Sequence, residues 1–381
     1  MQYASLGELG VMVLDCEHRT PSPAPAGHPY VAIPDIQQGR VVLETTRRIT
    51  DEDLLDWTRR TKPRAGDILV TRRGRVGDTA PIPTDDCAIG QNLVILRSDG
   101  TVIDQSFLRW ATRGPAWQSE VDRLINVGAV FSSLNVGDIG KMRIPVLPLP
   151  EQQAIAEVLG ALDDKIAANR ALVATADALA RAFTNECLAD STTTQLCDLA
   201  TITMGSSPKG TSYNESGEGV VLYQGMKDFG IRSPLPRVWT TEPGRLAHAG
   251  DILMSVRAPV GTLNRATEEC CIGRGLASLT AHQPNALFHL LLGQQTLLAP
   301  FNGDGTIFGS INKRQLHALP VRIPSAGLTE LEAKTAPLEA QVARALSESA
   351  TLAALRDTLL PALMDGTLRV KDAERTVSEA L

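Results

Sequence analysis

Hydrophobic and polar residues follow two different patterns along the chain. In two regions, short runs of β-branched and apolar residues lie between Gly, Pro and Asp, which is typical of strands joined by turns. The runs are DILVT and NLVILR in the first region, and VVLY and DILMSV in the second. Helical patterns are few there, and the clearest covers residues 105–125 with an interruption near Gly114-Pro115. The pattern predicts two β-rich regions.

Each β-rich region is followed by a long helical pattern. Hydrophobic residues there recur at alternating spacings of four and three, which is typical of a coiled-coil seam. The predicted seam positions are Ile155, Leu159, Leu162, Ile166, Asn169, Val173, Ala176, Ala180 and Phe183, and later Leu338, Val342, Ala345, Ser349, Leu352, Arg356 and Leu359. Pro337 is expected at the start of the second helix, where a missing N–H costs little. We expect the two helices to pack against each other.

Asn169 is the polar residue within the first seam. A buried Asn in such a seam fixes register at some cost in stability. The same residue at the edge of the seam would instead face water. The sequence leaves both interpretations open.

The β-rich regions repeat one another. GDILVTRRGRVG (66–77) matches GDILMSVRAPVG (250–261) at seven of twelve positions, and Arg73 matches Arg257. The alignment continues through the Cys-x-Ile-Gly segments that end at Gly90 and Gly273, and GAVFSSLN later pairs with GTIFGSIN. A period of about 180 residues indicates duplication of a whole domain rather than a solenoid.

Composition and charge narrow the class of protein. The 381 residues carry a net charge of −6, and 43% are hydrophobic, as in ordinary globular chains. No apolar run is long enough to span a bilayer, and no secretion signal is recognised at the N-terminus, so we expect a cytoplasmic protein. The helical segments 151–190 and 327–381 hold nine basic and sixteen acidic side chains, whereas the β-rich regions are near neutral. Six cysteines without CxxC spacing predict free thiols and no zinc site.

Polar clusters near the strand ends are the candidate binding residues. Arginine at the end of a strand can contact guanine or phosphate, although a solvated surface charge is the competing interpretation. The candidates are His18, Arg19, Thr71, Arg72, Arg73, Arg75, Gln91 and Asn92 in the first region, and Lys209, Tyr213, Gln224, Lys227, Ser255, Arg257 and Arg274 in the second. The recurrence of Arg73 as Arg257 favours a shared role in binding.

Catalytic motifs are not recognised in the sequence. It contains no GxxxxGK[ST], HExxH or GxSxG pattern. FNGDG (301–305) resembles a methyltransferase cofactor loop, but the first copy lacks it and no NPPY or DPPY segment is present. We therefore predict no cofactor, no metal site and no active site.

Two further segments resemble the specificity subunit of type I restriction–modification enzymes. IPVLPLPEQQAIAEVLGALDDKIAANR (144–170) is similar to that family's central helix, and LRDTLLPALMDGTLRV (355–370) to its C-terminal signature. The repeated GDIL segment matches the recurring strand of its target recognition domains, and the resemblance covers essentially the whole chain. IPSAGLTELEAK, at the second helix entry, departs from the pattern because it lacks the Glu-Gln pair.

The resemblance implies an α+β fold: two β-rich target recognition domains joined by two long helices that pack as an antiparallel coiled coil, with a pseudo-two-fold internal repeat. The expected parts are recognition domains at 1–150 and 191–326, a central helix at 151–190 and a C-terminal helix at 327–381. The implied function is non-catalytic recognition of a bipartite double-stranded DNA target, with the helices setting the distance between its halves.

The resemblance also implies protein partners. Methyltransferase subunits, two in number, are expected to dock on the helices, and translocating nuclease subunits join them for restriction. The candidate contact residues are Glu151, Gln152, Asp163, Lys165 and Asn169. Two alternatives remain: a coiled-coil scaffold that does not touch DNA, and the recognition domain of a single-chain enzyme, which the missing catalytic motifs disfavour.

Overall fold

Two compact units make up the fold. The computed structural model describes residues 2–128, 132–303 and 309–380. The first unit extends to Ala167 and includes the chain again from Ser349, whereas the second unit is Ala168–Glu348. Parts of the GAVFSSLN and GTIFGSIN repeat and the end of FNGDG fall on 129–131 and 304–308, outside the described residues.

The first unit mixes short strands with short helices. Its strands are β1 Gln2–Ser5, β2 Val11–Asp15, β3 His28–Val31, β4 Ile36–Gln37, β5 Arg40–Val41, β6 Arg47–Ile49, β7 Ile68–Thr71, β8 Thr79–Pro81, β9 Ala88–Ile89, β10 Leu93–Ser98, β11 Asn126–Val127, β12 Ser132–Ser133 and β13 Arg143–Val146. Its short helices are α1 Asp51–Trp57, α2 Gln105–Ala111, α3 Pro115–Leu124 and α4 Val136–Ile139. The predicted interruption at Gly114-Pro115 is confirmed, because α2 ends before it and α3 starts at Pro115.

A four-stranded antiparallel sheet forms the centre of the first unit, in the order β2-β10-β7-β8. Ile68 and Val70 point to a core shared with α2, α3 and the long helices. Leu69, between them, points to a second core with Val31 and Ile89. Both faces of the sheet are therefore buried, which explains why β7 is a continuous hydrophobic run.

Helix α5, Leu149–Cys187, follows β13 and has residues in both units. The second unit then has strands β14 Ser191–Gln195, β15 Thr201–Met204, β16 Tyr213–Asn214, β17 Val220–Tyr223, β18 Trp239–Thr240, β19 Leu246–Ala247, β20 Ile252–Ser255, β21 Leu263–Arg265, β22 Cys270–Ile272, β23 Leu276–Thr280 and β24 Pro320–Pro324. Its short helices are α6 Leu196–Leu199, α7 Pro284–Gly293 and α8 Lys313–His317.

The strand pairing of the second unit repeats that of the first. Its antiparallel sheet has the order β15-β23-β20-β21, and a parallel pair β17–β22 corresponds to β3–β9. Leu253 lies in a different hydrophobic core from its neighbours Ile252 and Met254, as Leu69 does in the first unit. The repeat found in the sequence is thus a repeat of topology and core.

The Gly-Asp pair before β7 and β20 builds the same turn twice. The Asp67 carboxylate accepts the backbone N–H of Arg64 at 2.8 Å, and the Asp251 carboxylate accepts that of His248 at 2.9 Å. Gly66 and Gly250 have φ of +86° and +92°, which glycine adopts without strain. These residues repeat because the turn and core need them.

The long helices follow the predicted seam. Helix α9 is Thr329–Met364. In the first unit Ile155 and Leu159 of α5 share a core with Leu359 of α9. In the second unit Val173 and Ala176 pack with Val342 and Ala345.

The two helices are antiparallel within the second unit. Asn169 pairs with Glu348, and farther along Glu186 pairs with Lys334. Asn169 itself is buried and donates to Glu348 Oε2 at 2.7 Å, so the seam interpretation of this residue is the one that the structure shows.

The C-terminal segment differs from the predicted single helix. Helix α9 begins at Thr329, so Pro337 lies inside it and the expectation of a helix start there was wrong. The chain turns at Gly366, with φ of +74°, and Leu368 donates to the carbonyl of Ala362 at 2.9 Å. A separate helix, α10 Val370–Ala380, follows. Its Ala373 and Val377 lie in the core of the first unit.

The cysteines are free thiols, as predicted, since all six are without a disulfide partner in the described chain. Burial raises the pKa of Cys87 to about 12, and that of Cys270 to about 12, so both stay protonated at neutral pH. None of the helices that the structure describes combines the length and hydropathy needed to cross a bilayer.

Candidate nucleic-acid interface

Strands β7 and β20 end in matching turns. The Ser255 hydroxyl donates to the carbonyl of Pro259 at 2.6 Å, and the Thr71 hydroxyl donates to the carbonyl of Arg75. Both hydroxyl residues are buried. Thr71 and Ser255 therefore build the turns. Contrary to the expectation from the sequence, their buried side chains are not available to a ligand.

Arg73 and Arg257 occupy the same place in the two turns. Their backbones form isolated β-bridges with Ser133 and Ser310, respectively. Both arginines are exposed. Neither guanidinium forms a hydrogen bond or ion pair with another residue in the described parts of the chain. Packing gives no reason for these side chains, so they are available for an anionic or hydrogen-bonding ligand.

A recess lies beside Arg257 in the second unit. It is open to solvent and has a volume of about 370 Å³. Four predicted binding residues line it: Gln224, Lys227, Arg257 and Arg274. None of the lining residues, all within the described chain, is acidic, so the recess carries three cations without a counter-charge in its wall. We call this site the recess.

Local hydrogen bonds hold the wall of the recess in place. Buried Asp228 accepts the backbone N–H of Gln224 at 2.7 Å and also pairs with Arg237 outside the recess. Arg274 Nε donates to Ser207 Oγ at 3.1 Å. Ser207, which also lines the recess, carried no distinctive sequence signal because serines are common in loops.

The arginines near Arg73 are engaged inside the first unit. Arg72 is mostly buried and donates from Nε to the carbonyl of Leu134 at 3.0 Å. Arg75 pairs with Asp78 at 2.7 Å and donates to the carbonyl of Ile33 at 3.2 Å. Of the three arginines in the Thr71–Arg75 stretch, Arg73 is the one whose guanidinium has no hydrogen-bond or ion-pair partner among the described residues.

The remaining cationic candidates of the first unit, His18 and Arg19, pair with acidic side chains near the surface. Arg19 pairs with Asp56 at 2.5 Å and stacks over Trp57 with its guanidinium 4.0 Å from the ring centroid. Exposed His18 contacts Asp15 at 3.0 Å. Asp15, Cys16 and His18 bring three potential metal-ligand atoms within 4.8 Å of one another, but Arg60 lies 3.7 Å from the same Asp15 carboxylate.

The other candidates are more scattered. Gln91 and Asn92 are half-buried in the turn before β10, where Asn92 has φ of +65°. In the second unit Lys209 lies 3.8 Å from Glu242, and the Tyr213 hydroxyl donates to the carbonyl of Pro208 at 3.2 Å. Lys209 and Tyr213 do not line the recess that Gln224 and Lys227 form.

Two of the predicted partner contacts serve the fold instead. Gln152 is buried, accepts the backbone N–H of Asp104 at 2.8 Å and donates to two carbonyls. Its side chain is therefore not exposed to another protein. Asp163 pairs with Arg109 and, at 2.6 Å, with Arg356, which holds its carboxylate inside the first unit. Glu151 is exposed, and Lys165 and Asn169 lie along the helix pair.

A comparable ion cluster occurs in the second unit. Glu339 of α9 is nine-tenths buried and pairs with Arg232 at 3.1 Å, Arg265 at 3.3 Å and His289 at 2.9 Å. Burial opposes its charge, but the hydrogen bond with His289 and the two arginines together hold the pKa of Glu339 below its ordinary value. Neither cluster is recognisable in the sequence, because its members are far apart in the chain.

Comparison with known proteins places this arrangement in a family. The profile described as the type I restriction modification DNA specificity domain matches residues 23–175. A protein of Methanocaldococcus jannaschii, named as the specificity subunit of type I restriction enzyme MjaX, is 30% identical over 312 residues, covering 74% of this chain and 72% of the relative. The chain belongs to the family of type I restriction enzyme specificity subunits.

The fold agrees with this assignment. The crystal structure of the S subunit of a type I restriction–modification system from M. genitalium aligns with a TM-score of 0.64 at 16% identity, covering 95% of this chain and 96% of that one. A specificity subunit is the DNA sequence-recognition component of its complex and is itself non-catalytic. The α+β fold and this role, both expected from the resemblance, are confirmed.

Proposed function

We propose that this specificity subunit recognises a bipartite double-stranded DNA target, with each unit contacting one half. The observation that carries the proposal is the paired exposure of Arg73 and Arg257 at equivalent turns. A duplicated domain with a duplicated open arginine is suited to two similar half-sites. The recognition domains of this proposal are 1–150 and 191–326.

The proposed contacts fall into two groups. Arg73 and Gln91 serve the first half-target, and Gln224, Arg257 and Arg274 serve the second. Lys227, at the rim of the recess, is placed to bind a phosphate, because its ammonium is a point charge rather than a planar fork. Arg72 and Arg75 hold the turn in shape and are left out of the contact set.

We propose a docking face for the methyltransferase on α5. In the second unit one face of this helix is apolar but exposed, and Leu172 and Leu179 on it are 40% and 41% exposed. The remaining exposed residues of the face are Ala168, Ala171, Thr175, Ala178 and Ala182. Their spacing of three and four keeps them on one side, and small residues let another helix approach closely.

The assembly in this proposal holds two methyltransferase subunits and, for restriction, translocating nuclease subunits, and it acts in the cytoplasm, where the DNA is. Glu151 and Lys165 remain candidate contacts with these partners. Membership of the family supports this assembly. The helical segments also carry a net negative charge, which disfavours contact with DNA and is compatible with contact with protein subunits.

The experiment is co-expression of this chain with the methyltransferase subunit of the same restriction–modification locus, followed by sequencing of methylated DNA. We expect methylation at one bipartite sequence that depends on this chain, and no methyl transfer by the chain alone. The variant Leu172→Glu/Leu179→Glu should lose the methyltransferase in co-purification, because charges then enter the apolar face.

The matched control is Arg181→Glu, which makes the same total change in charge as the two Leu→Glu substitutions at an exposed position of α5 outside the face. It should retain the methyltransferase. Methylation that does not depend on this chain would refute the recognition role. Equal co-purification of all the variants would refute the docking face while leaving the recognition role intact.

A further inference from the structure

The turn that follows β9 and β22 has the same two backbone hydrogen bonds at its glycine in both units. Gly90 donates its N–H to the carbonyl of Val31 at 2.7 Å, and Gly273 donates to that of Tyr223 at 2.8 Å. Each glycine carbonyl then accepts the N–H of the residue three positions later, Leu93 or Leu276. Gln91 and Arg274 are therefore the same position in two copies of one turn, each directly after the glycine.

The surroundings of this position are suited to recognition of a ligand. Arg274 lines the recess next to Arg257, and its one hydrogen bond within the described chain uses Nε, which leaves the two terminal amino groups of the guanidinium available. The amide of Gln91 forms no hydrogen bond with the described residues. The next residue, Asn92, is fixed by its carbonyl, which accepts the N–H of Arg72 at 2.8 Å.

The two side chains have different base preferences. The planar fork of arginine matches the O6 and N7 acceptors of guanine in the major groove. A glutamine amide both donates and accepts, which matches N7 and N6 of adenine. A rigid turn that presents one of these groups in each unit can thus distinguish bases at one position of each half-target.

We propose that this turn position determines specificity, with Gln91 recognising an adenine in the half-target of the first unit and Arg274 recognising a guanine in that of the second. The inference rests on the proposed function, because it assumes that each unit contacts one half. It adds to that function the base at one position of each half.

The test is an exchange of the two side chains in the assembled subunit–methyltransferase complex. Arg274→Gln should change one base pair of the second half-target from guanine towards adenine, and Gln91→Arg should make the reverse change in the first. Affinity for the original duplex should fall about 5- to 150-fold in each case. The readouts are the methylated sequences and binding to duplexes that carry each base at each position.

The control is Arg322→Gln, since Arg322 belongs to the same unit but lies on β24, where it bonds Ser191. It should leave both half-targets unchanged, and thermal unfolding should be similar for all variants. Equal weakening on every duplex would make Arg274 a phosphate contact and overturn the inference. A bipartite wild-type target with unchanged base preferences in both variants would overturn it too, whereas methylation independent of the chain would refute the proposed function itself.

Discussion

The turns that follow β7 and β20 are equivalent, but they differ in how many arginines they contain and in how many of these are engaged by the unit itself. The first turn, TRRGR, has three arginines, and two of them are engaged by Asp78, Leu134 and other groups of the unit. The second turn, SVRAP, has Val256 and Pro259 at the corresponding places, and its one arginine opens onto the recess. The comparison shows that the density of arginines in a sequence does not measure the charge available to a ligand.

The largest predicted effect concerns the ion clusters of the two units. Glu339→Gln should destabilise the second unit by about 3–5 kcal/mol, because it leaves Arg265 buried without its ion-pair partner and Arg232 with Asp177 alone. Asp163→Asn should do the same to the first unit by a smaller amount, because Asp163 is more exposed, at 14% against 8%. Denaturant unfolding measures the loss, and hydrogen exchange shows which unit opens.

Lowering the pH should also destabilise the second unit, as Glu339→Gln does. Because the pKa of Glu339 is lowered in the folded state, its contribution is present above the ordinary carboxyl value near 4.5 and is lost as pH falls through the folded pKa. In Glu339→Gln this part of the pH dependence should disappear. An unchanged acid unfolding curve in the variant would contradict the assigned role.

An intermediate effect is predicted for the exposed arginines. Arg257→Ala should weaken recognition of the second half-target alone, and Arg73→Ala that of the first alone, each by about 1–3 kcal/mol if a bidentate base contact is lost. Binding to duplexes altered in one half measures each effect. Arg75→Ala serves as the control. It should not alter base preference, because the Arg75 guanidinium already pairs with Asp78.

The smallest effect is predicted for Lys227. Lys227→Gln should weaken binding to all duplexes alike and reduce the salt slope of binding by about one, as expected for a lost phosphate contact. Lys209→Gln is the matched comparison, since Lys209 lies near Glu242 and outside the recess. A change of base preference in Lys227→Gln would assign that lysine to base contact instead.

Much of the fold was predictable from periodicity in the sequence. The spacing from Ile155 to Phe183 predicts the seam because each position depends on neighbours three or four residues away. The break at Gly114-Pro115 is equally local. The C-terminal helix was expected within 327–381, but the turns of α9 ahead of Pro337 were not recognised as helical from the seam, because a distant contact supports them: Glu332 accepts the backbone N–H groups of Asn285 and Ala286 at 2.9 and 2.7 Å.

The candidate site was less predictable, for the same reason. The recess brings together Gln224, Arg257 and Arg274 from three separate segments, and the sequence suggested each as a candidate without showing that they meet. Conversely, nothing in the sequence indicated that the side chains of Arg72 and Gln152 would be engaged, and the structure shows each donating to a distant backbone carbonyl, Leu134 and Val102 respectively. For these two residues, a partner 50 or more positions away decides whether the side chain is available to a ligand or another protein.

The second unit is one uninterrupted stretch of chain, Ala168–Glu348, and the residues at its two ends meet where Asn169 donates to Glu348. A segment whose ends lie together can be replaced as a block without stretching the rest of the chain. In genetic terms, two crossovers near the codons for these residues would exchange the whole second unit in frame, and with it the half-target that we propose this unit recognises. Arg73, Gln91 and the other half would be inherited unchanged.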